Sequence, residues 1–127
     1  MKYIIAIIRP ERLQDVQAAL MERDIYLMTV SDVRGCGRQK GFSEVYRDRA
    51  MLRMVSKVKI EMAVNDAFVD AAVDAITLAA RTGETGDGKI FVLPLADCVH
   101  VRSGASGMEA IGPEPLQASG RGGGRLR

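Results

Sequence analysis

The sequence predicts an α+β domain built from two strand–helix–strand units, and three observations carry that prediction. Apolar residues alternate or run continuously through residues 2–9, 26–34, 57–64 and 90–95, as in extended chain. Between the first and second of these stretches, and again between the third and fourth, the period changes to that of an amphipathic helix. The order is interrupted once, by residues 35–56, a segment of about twenty residues without a clean period that is too long for a simple connection and is therefore expected to be functional.

Each element has its own local justification. The first strand carries Tyr3, Ile5 and Ile7 on one side and Ile4, Ala6 and Ile8 on the other, so both faces need cover. Pro10 suits the first turn of a helix, and Leu13, Val16 and Leu20 recur at helical spacing up to Glu22 or Arg23. Thr29, Val30 and Val33 supply β-branching for the second strand. In the third, Val58, Ile60, Met62 and Val64 alternate with Lys59, Glu61 and Ala63, and the polar side predicts a half-exposed strand or one near an edge. Asn65 or Asp66 is the candidate cap of a second helix with the stripe Val69, Ala72, Val73, Ile76 and Ala80. Residues 90–95 form the last strong strand, with Pro94 at an edge or bulge, and 98–102 are expected to continue as a shorter one.

This order is that of the ferredoxin-like βαββαβ arrangement with a long loop, about residues 37–56, between strands 2 and 3. Two helices cover one face of such a sheet, and closed cyclic self-association is the expected cover for the other. The domain is assigned to residues 1–107. Residues 108–127, rich in Gly, Ser, Ala and Pro, are expected to form a mobile tail.

Composition excludes several classes of function. A formal charge of +2 does not demand nucleic acid, and the arginine-rich loop and tail come without aromatic stacking residues in a basic sheet face. No apolar run reaches the roughly 18–20 residues of a membrane span, and nothing near Met1 resembles a signal-peptide cleavage site, so a cytoplasmic location is expected. Cys36, Cys98 and His100 do not have the spacing of a metal site or disulfide framework.

The chemistry concentrates in Gly83-Glu84-Thr85-Gly86-Asp87-Gly88-Lys89. Closely spaced glycines let backbone approach a ligand, and a lysine at the exit is a point charge for phosphate. The stretch nearly satisfies the P-loop pattern, but Ile90 stands where Ser or Thr would bind Mg²⁺. It also lies between a helix and a strand, the reverse of P-loop order. Asp87 is the one candidate base for nucleotide hydrolysis there, and its expected role is to shape the turn.

Several motifs in order resemble the PII signal-transduction family: Gly35-Cys36-Gly37-Arg38-Gln39-Lys40-Gly41, Glu44-Val45-Tyr46-Arg47, Lys57-Val58-Lys59-Ile60-Glu61, and Ala80-Arg81-Thr82-Gly83 through Lys89-Ile90-Phe91-Val92. The resemblance spans about residues 1–107. It implies a non-enzymatic homotrimer with ATP or ADP between subunits and 2-oxoglutarate bound through Mg-ATP at the base of the long loop. By the same resemblance, Gly86, Asp87, Gly88 and Lys89 wrap the phosphates while Gly35, Cys36, Gly37 and Arg38 close over the nucleotide. Thr29 and Val64 line the adenine pocket, and Gln39 holds Mg²⁺. Lys57 pairs with a 2-oxoglutarate carboxylate, Lys40 and Gly41 add backbone groups, and Arg102 reaches the phosphates from the neighbouring subunit.

The family's other basic position is His100 here, which predicts weaker preference for the triphosphate. Residues 48–53 hold no hydroxyl and Tyr46 matches an unmodified position, so tyrosine nucleotidylation is not expected. The resemblance implies a protein partner for residues 37–56: an ammonium transporter, a metabolic enzyme such as a biosynthetic kinase, a transcription factor or a carbon-uptake component. A specialised branch sensing ADP or AMP with bicarbonate is the alternative; a nucleotide-hydrolysing enzyme is a weaker one.

Overall fold

The computed structural model describes residues 1–36, 42–46 and 49–112. In chain order the elements are β1 (Lys2–Ile8), α1 (Leu13–Met21), β2 (Thr29–Gly35), β3 (Phe42–Tyr46), β4 (Arg49–Leu52), β5 (Val55–Val64), α2 (Val69–Ala80), β6 (Lys89–Pro94) and α3 (Met108–Ile111). Short 3-10 turns at Pro10–Arg12 and Asp66–Phe68 lead into α1 and α2. Pro10 occupies the first of these turns, where its missing N–H has no helical partner to lose.

The main sheet has the order β2-β5-β1-β6 with every neighbour antiparallel, which is the ferredoxin-like α+β arrangement. β5 is a central strand, between β2 and β1, so of the two readings of its polar side the edge position fails and the half-exposed strand holds. Its alternation reports which face is covered rather than where the strand lies: Val58, Ile60, Met62 and Val64 are buried, whereas Lys59 and Glu61 lie on the other face. β6 is the edge strand, and Pro94 ends it where no ladder N–H is needed.

Both helices pack on one face of the sheet. Ile4, Ala6 and Ile8 of β1, the buried row of β5, Val16 and Leu20 of α1, and Ala72, Ala75 and Ile76 of α2 form one core. Alanines dominate the inner side of α2, which lets that helix sit close to the strands. Truncating the centre of this core, Ile60→Ala, is expected to cost about 2–5 kcal/mol. A urea midpoint lowered at unchanged slope would check it.

The opposite face of the sheet is open. Tyr3, Ile5 and Ile7 of β1 stand opposite Leu93, Phe91 and Lys89 of β6, and Phe91 and Leu93 remain 46% and 41% exposed. A polar strip crosses this face where the Tyr3 hydroxyl donates to Glu61 Oε1 at 2.8 Å and Lys59 Nζ lies 3.8 Å from Glu61 Oε2.

Three other expectations need correction. The long segment between β2 and β5 contains an antiparallel hairpin, β3–β4, with a register shift between Phe42 and Glu44 that hides any simple alternation. Residues 98–102 are not a strand: Val99 makes an isolated bridge to Ser106, and the chain reverses through His100 N–H to Ala105 O (2.9 Å) and Gly107 N–H to Cys98 O (3.0 Å). The folded unit also extends past residue 107, because α3 follows and buries Ala110. Residues 113–127 lie outside the described residues.

Candidate functional site

The loop entering β6 is shaped by glycines in the left-handed region, with φ of 90° at Gly83 and 106° at both Gly86 and Gly88. At Gly88 the requirement is also steric, since a Cβ there would lie 1.7 Å from the Ile7 carbonyl oxygen. The turn is therefore pressed against the end of β1. Successive backbone N–H groups in such turns form concave donors for anions.

Side chains from distant parts of the chain fix this turn. Asp87 accepts hydrogen bonds from Arg9 Nε (3.0 Å), Thr82 N–H (2.8 Å), Gly83 N–H (2.9 Å) and the Thr82 hydroxyl. The Thr82 hydroxyl, helped by these N–H groups and opposed by burial, holds the Asp87 carboxyl well below the usual carboxylate range. Arg9 also donates through Nη2 to Thr85 O at 2.9 Å, and Arg12 Nη2 donates to Arg81 O at 3.0 Å. The turn is thus sewn to the start of α1.

Lys57 joins the same end of the sheet to the turn. It is only 8% exposed, and its Nζ donates to Gly86 O at 2.5 Å. Burial first, then the neighbouring Arg9 cation, pulls its pKa below the ordinary lysine value, while Glu11 and Asp87 act in the opposite direction. Gly35, at the end of β2, leaves room beside the lysine stem: a Cβ there would meet Lys57 Cγ at 4.0 Å.

Of the residues expected from the sequence, Gly35, Cys36, Lys57, Gly86, Asp87, Gly88 and Lys89 come together at one end of the sheet. Thr29 is at the other end of β2, about 20 Å away at the rise of an extended strand. His100 and Arg102 follow β6 at that far end, beyond the Lys2–Pro94 pairing, so one chain does not bring them to the glycine turn. The His100 ring buries Nε2 without a hydrogen-bond partner. Gly37, Arg38, Gln39, Lys40 and Gly41 lie outside the described residues.

Val64 buries its side chain, 4% exposed, in the helix-covered core, on the opposite side of the sheet from Thr29, which leaves its backbone as the part that could line a pocket. Alternation decides this: Glu61 stands directly across from Thr29, so Glu61 and Ala63 share its face and Val64 does not. Arg9, Arg12 and Thr82 hold the turn in place and were not among the residues expected from the sequence. Arg9 follows β1 immediately before Pro10, at the end of the sheet where the glycine loop returns, but nothing in the sequence marks Asp87 as its partner.

Magnesium, implied by the resemblance, has its expected protein ligand Gln39 outside the described residues. Among those described, no group of three or more His, Cys, Asp or Glu side chains is placed to hold a metal.

Comparison with known proteins decides the relationship. The sequence model described as Nitrogen regulatory protein P-II matches residues 1–105. The chain belongs to the P-II family. A P-II protein of Nostoc punctiforme is 48% identical over 112 residues, covering 87% of this chain and 100% of that one. Nitrogen regulatory protein P-II 2 of Methanothermobacter thermautotrophicus is 47% identical over 112 residues, covering 87% and 97%. Among solved structures, Arabidopsis thaliana PII bound to citrate superposes with a TM-score of 0.70 at 43% identity, covering 86% of this chain and 90% of that one. P-II proteins are signal-transduction regulators that bind nucleotides and small effectors and act on partner proteins. Among the described residues of this P-II chain, no helix is long and apolar enough to cross a membrane.

Proposed function

We propose that this P-II protein is a non-enzymatic sensor that binds ATP or ADP between the subunits of a homotrimer, and 2-oxoglutarate together with Mg-ATP. The observation that carries the reading is the glycine turn: Gly86 and Gly88 at positive φ, pressed on β1 and clamped through Asp87, beside a buried lysine. Phosphate oxygens would be met by the backbone N–H groups of residues 86–88 and by Lys89, an arrangement that is already organised before ligand arrives. Lys57 would exchange its bond to the Gly86 carbonyl for one to an effector carboxylate, which is charge-assisted and stronger.

The open apolar face supports trimer formation, because Ile5, Ile7, Phe91 and Leu93 would otherwise remain in water. In the trimer, His100 and Arg102 of one subunit would reach the site of its neighbour. Two nucleotide states that favour different arrangements of residues 37–56 would let a regulated partner, such as an ammonium transporter, a metabolic enzyme or a carbon-uptake component, read the ratio of ligands. Asp87 supports the non-enzymatic reading: four donors occupy its oxygens and its proton affinity is low, so it is a poor general base.

A second reading, ADP or AMP sensing with bicarbonate, is favoured by one observation. His100 supplies an imidazole with an unpartnered buried nitrogen where a fixed cation would strengthen triphosphate binding. Calorimetric titration with ATP, ADP and AMP, each with Mg²⁺ plus 2-oxoglutarate and then with bicarbonate, separates the two. Heat from 2-oxoglutarate only in the presence of Mg-ATP establishes the first; bicarbonate-dependent tightening of ADP or AMP without a 2-oxoglutarate response establishes the second.

The placement of ligands predicts a split between two mutants. Lys89→Ala is expected to weaken ATP and ADP alike by about tenfold or more, the loss of one charged phosphate contact. Lys57→Ala is expected chiefly to remove the 2-oxoglutarate response. Unaltered nucleotide affinity in the Lys89 mutant would refute the placement of the phosphates.

A further inference from the structure

At the far end of the sheet from the glycine turn lies a groove of about 260 Å³ that the proposed function does not use. Tyr26, Leu27, Val64, Phe68, Ile111 and Gly112 line it. Part of its apolar wall is open to solvent, with Tyr26 56%, Leu27 49% and Phe68 40% exposed. Asn65 lines the same groove, and its Oδ1 is buried without a hydrogen-bond partner. An occupant should therefore bring an apolar side chain and one N–H donor.

The chain itself leads there. Gly112, a wall of the groove, leaves α3 in extended conformation with φ −76° and ψ 178°. The residues that follow are Pro113-Glu114-Pro115-Leu116. Alternate prolines hold a segment extended at about 3.1 Å per residue, so this stretch can span about 12 Å, enough to run along a groove of this size. It offers a large apolar side chain in Leu116 and backbone donors at Glu114 and Leu116, whereas the prolines have none to leave unmet. The Nostoc relative is matched over its whole length yet covers 87% of this chain, and the family match ends at residue 105, so this chain has residues that relative lacks.

We propose that residues 113–116 dock back into this groove on their own subunit, with Leu116 between Tyr26 and Phe68 and a backbone N–H meeting Asn65 Oδ1. A tethered segment has an effective concentration in the millimolar range, which favours it over a separate partner for so small a surface. Docking there gives the arginine-bearing remainder, Arg121, Arg125 and Arg127, a fixed point of departure from the fold.

Methyl-resolved NMR of the full chain, of Leu116→Asp and of a chain ending at Gly112 tests this. The expected result is close contacts between the Leu116 methyls and the rings of Tyr26 and Phe68 in the full chain, with the Leu27 and Ile111 methyl signals shifting together in both variants. Neither variant alters a residue of the core formed by β1, β5, α1 and α2, so the remaining signals report an intact fold. Superimposable Leu27 and Ile111 signals in all three chains would overturn the proposal. So would contacts that appear between differently labelled chains in a mixed sample, which would make a second copy the occupant. Nucleotide titration of the same three samples reads the proposed function separately, since neither variant touches the glycine turn.

Discussion

Replacing Gly88 with alanine is expected to abolish nucleotide binding and to destabilise the protein by about 3–5 kcal/mol, a size reached only when backbone itself must move. The new Cβ would fall 1.7 Å from the Ile7 carbonyl oxygen, and the atoms next nearest are also backbone, so no side chain can swing aside. Gly83 supplies the control. It too has positive φ, 90°, but a Cβ there meets nothing within 4 Å. Gly83→Ala should therefore show only conformational strain, about 1–2 kcal/mol. Thermal unfolding and nucleotide titration of the two variants side by side would check the contrast; equal losses would mean that the approach to β1 is not what the turn requires.

Asp87→Asn is expected to loosen the same turn by another route and to weaken nucleotide binding by about tenfold or more. The amide keeps the shape but loses the charge that four donors converge on, and its NH₂ group cannot accept from any of them. The stability difference between wild type and variant carries a pH signature. A carboxylate held below its ordinary value of 3.8 contributes stability fully present above that value and lost as the pH falls through its native value. The difference should thus be flat through neutral pH and shrink only under acid conditions, below the ordinary carboxylate value. Urea denaturation of both proteins across that range measures it, and a difference that already fades near neutrality would show that the carboxylate is not held as described.

The order of elements was legible because hydrophobic period survives whatever the tertiary context, as in β1 and in the stripe Val69, Ala72, Val73, Ile76 of α2. Position within the sheet was not. β5 presents Lys57, Lys59 and Glu61 on one side, which resembles an edge strand until the open face of the whole sheet is known. The glycine turn announced itself through its residue types, since few roles need three glycines and a lysine so close together. Its clamp did not, because Arg9 and Asp87 are separated by 78 positions and an arginine at a strand end carries no mark of its partner.

The sheet order also sets the timetable by which this protein can fold. β1 is completed by Ile8, yet its two neighbours are supplied by residues 58–64 and 89–94. As the chain leaves the ribosome, the most apolar strand emerges first and waits for most of the domain before either side can be paired. Contacts of such long sequence separation close slowly, and the waiting strand is the segment most in need of shielding during synthesis. The first strand made is the last to be flanked.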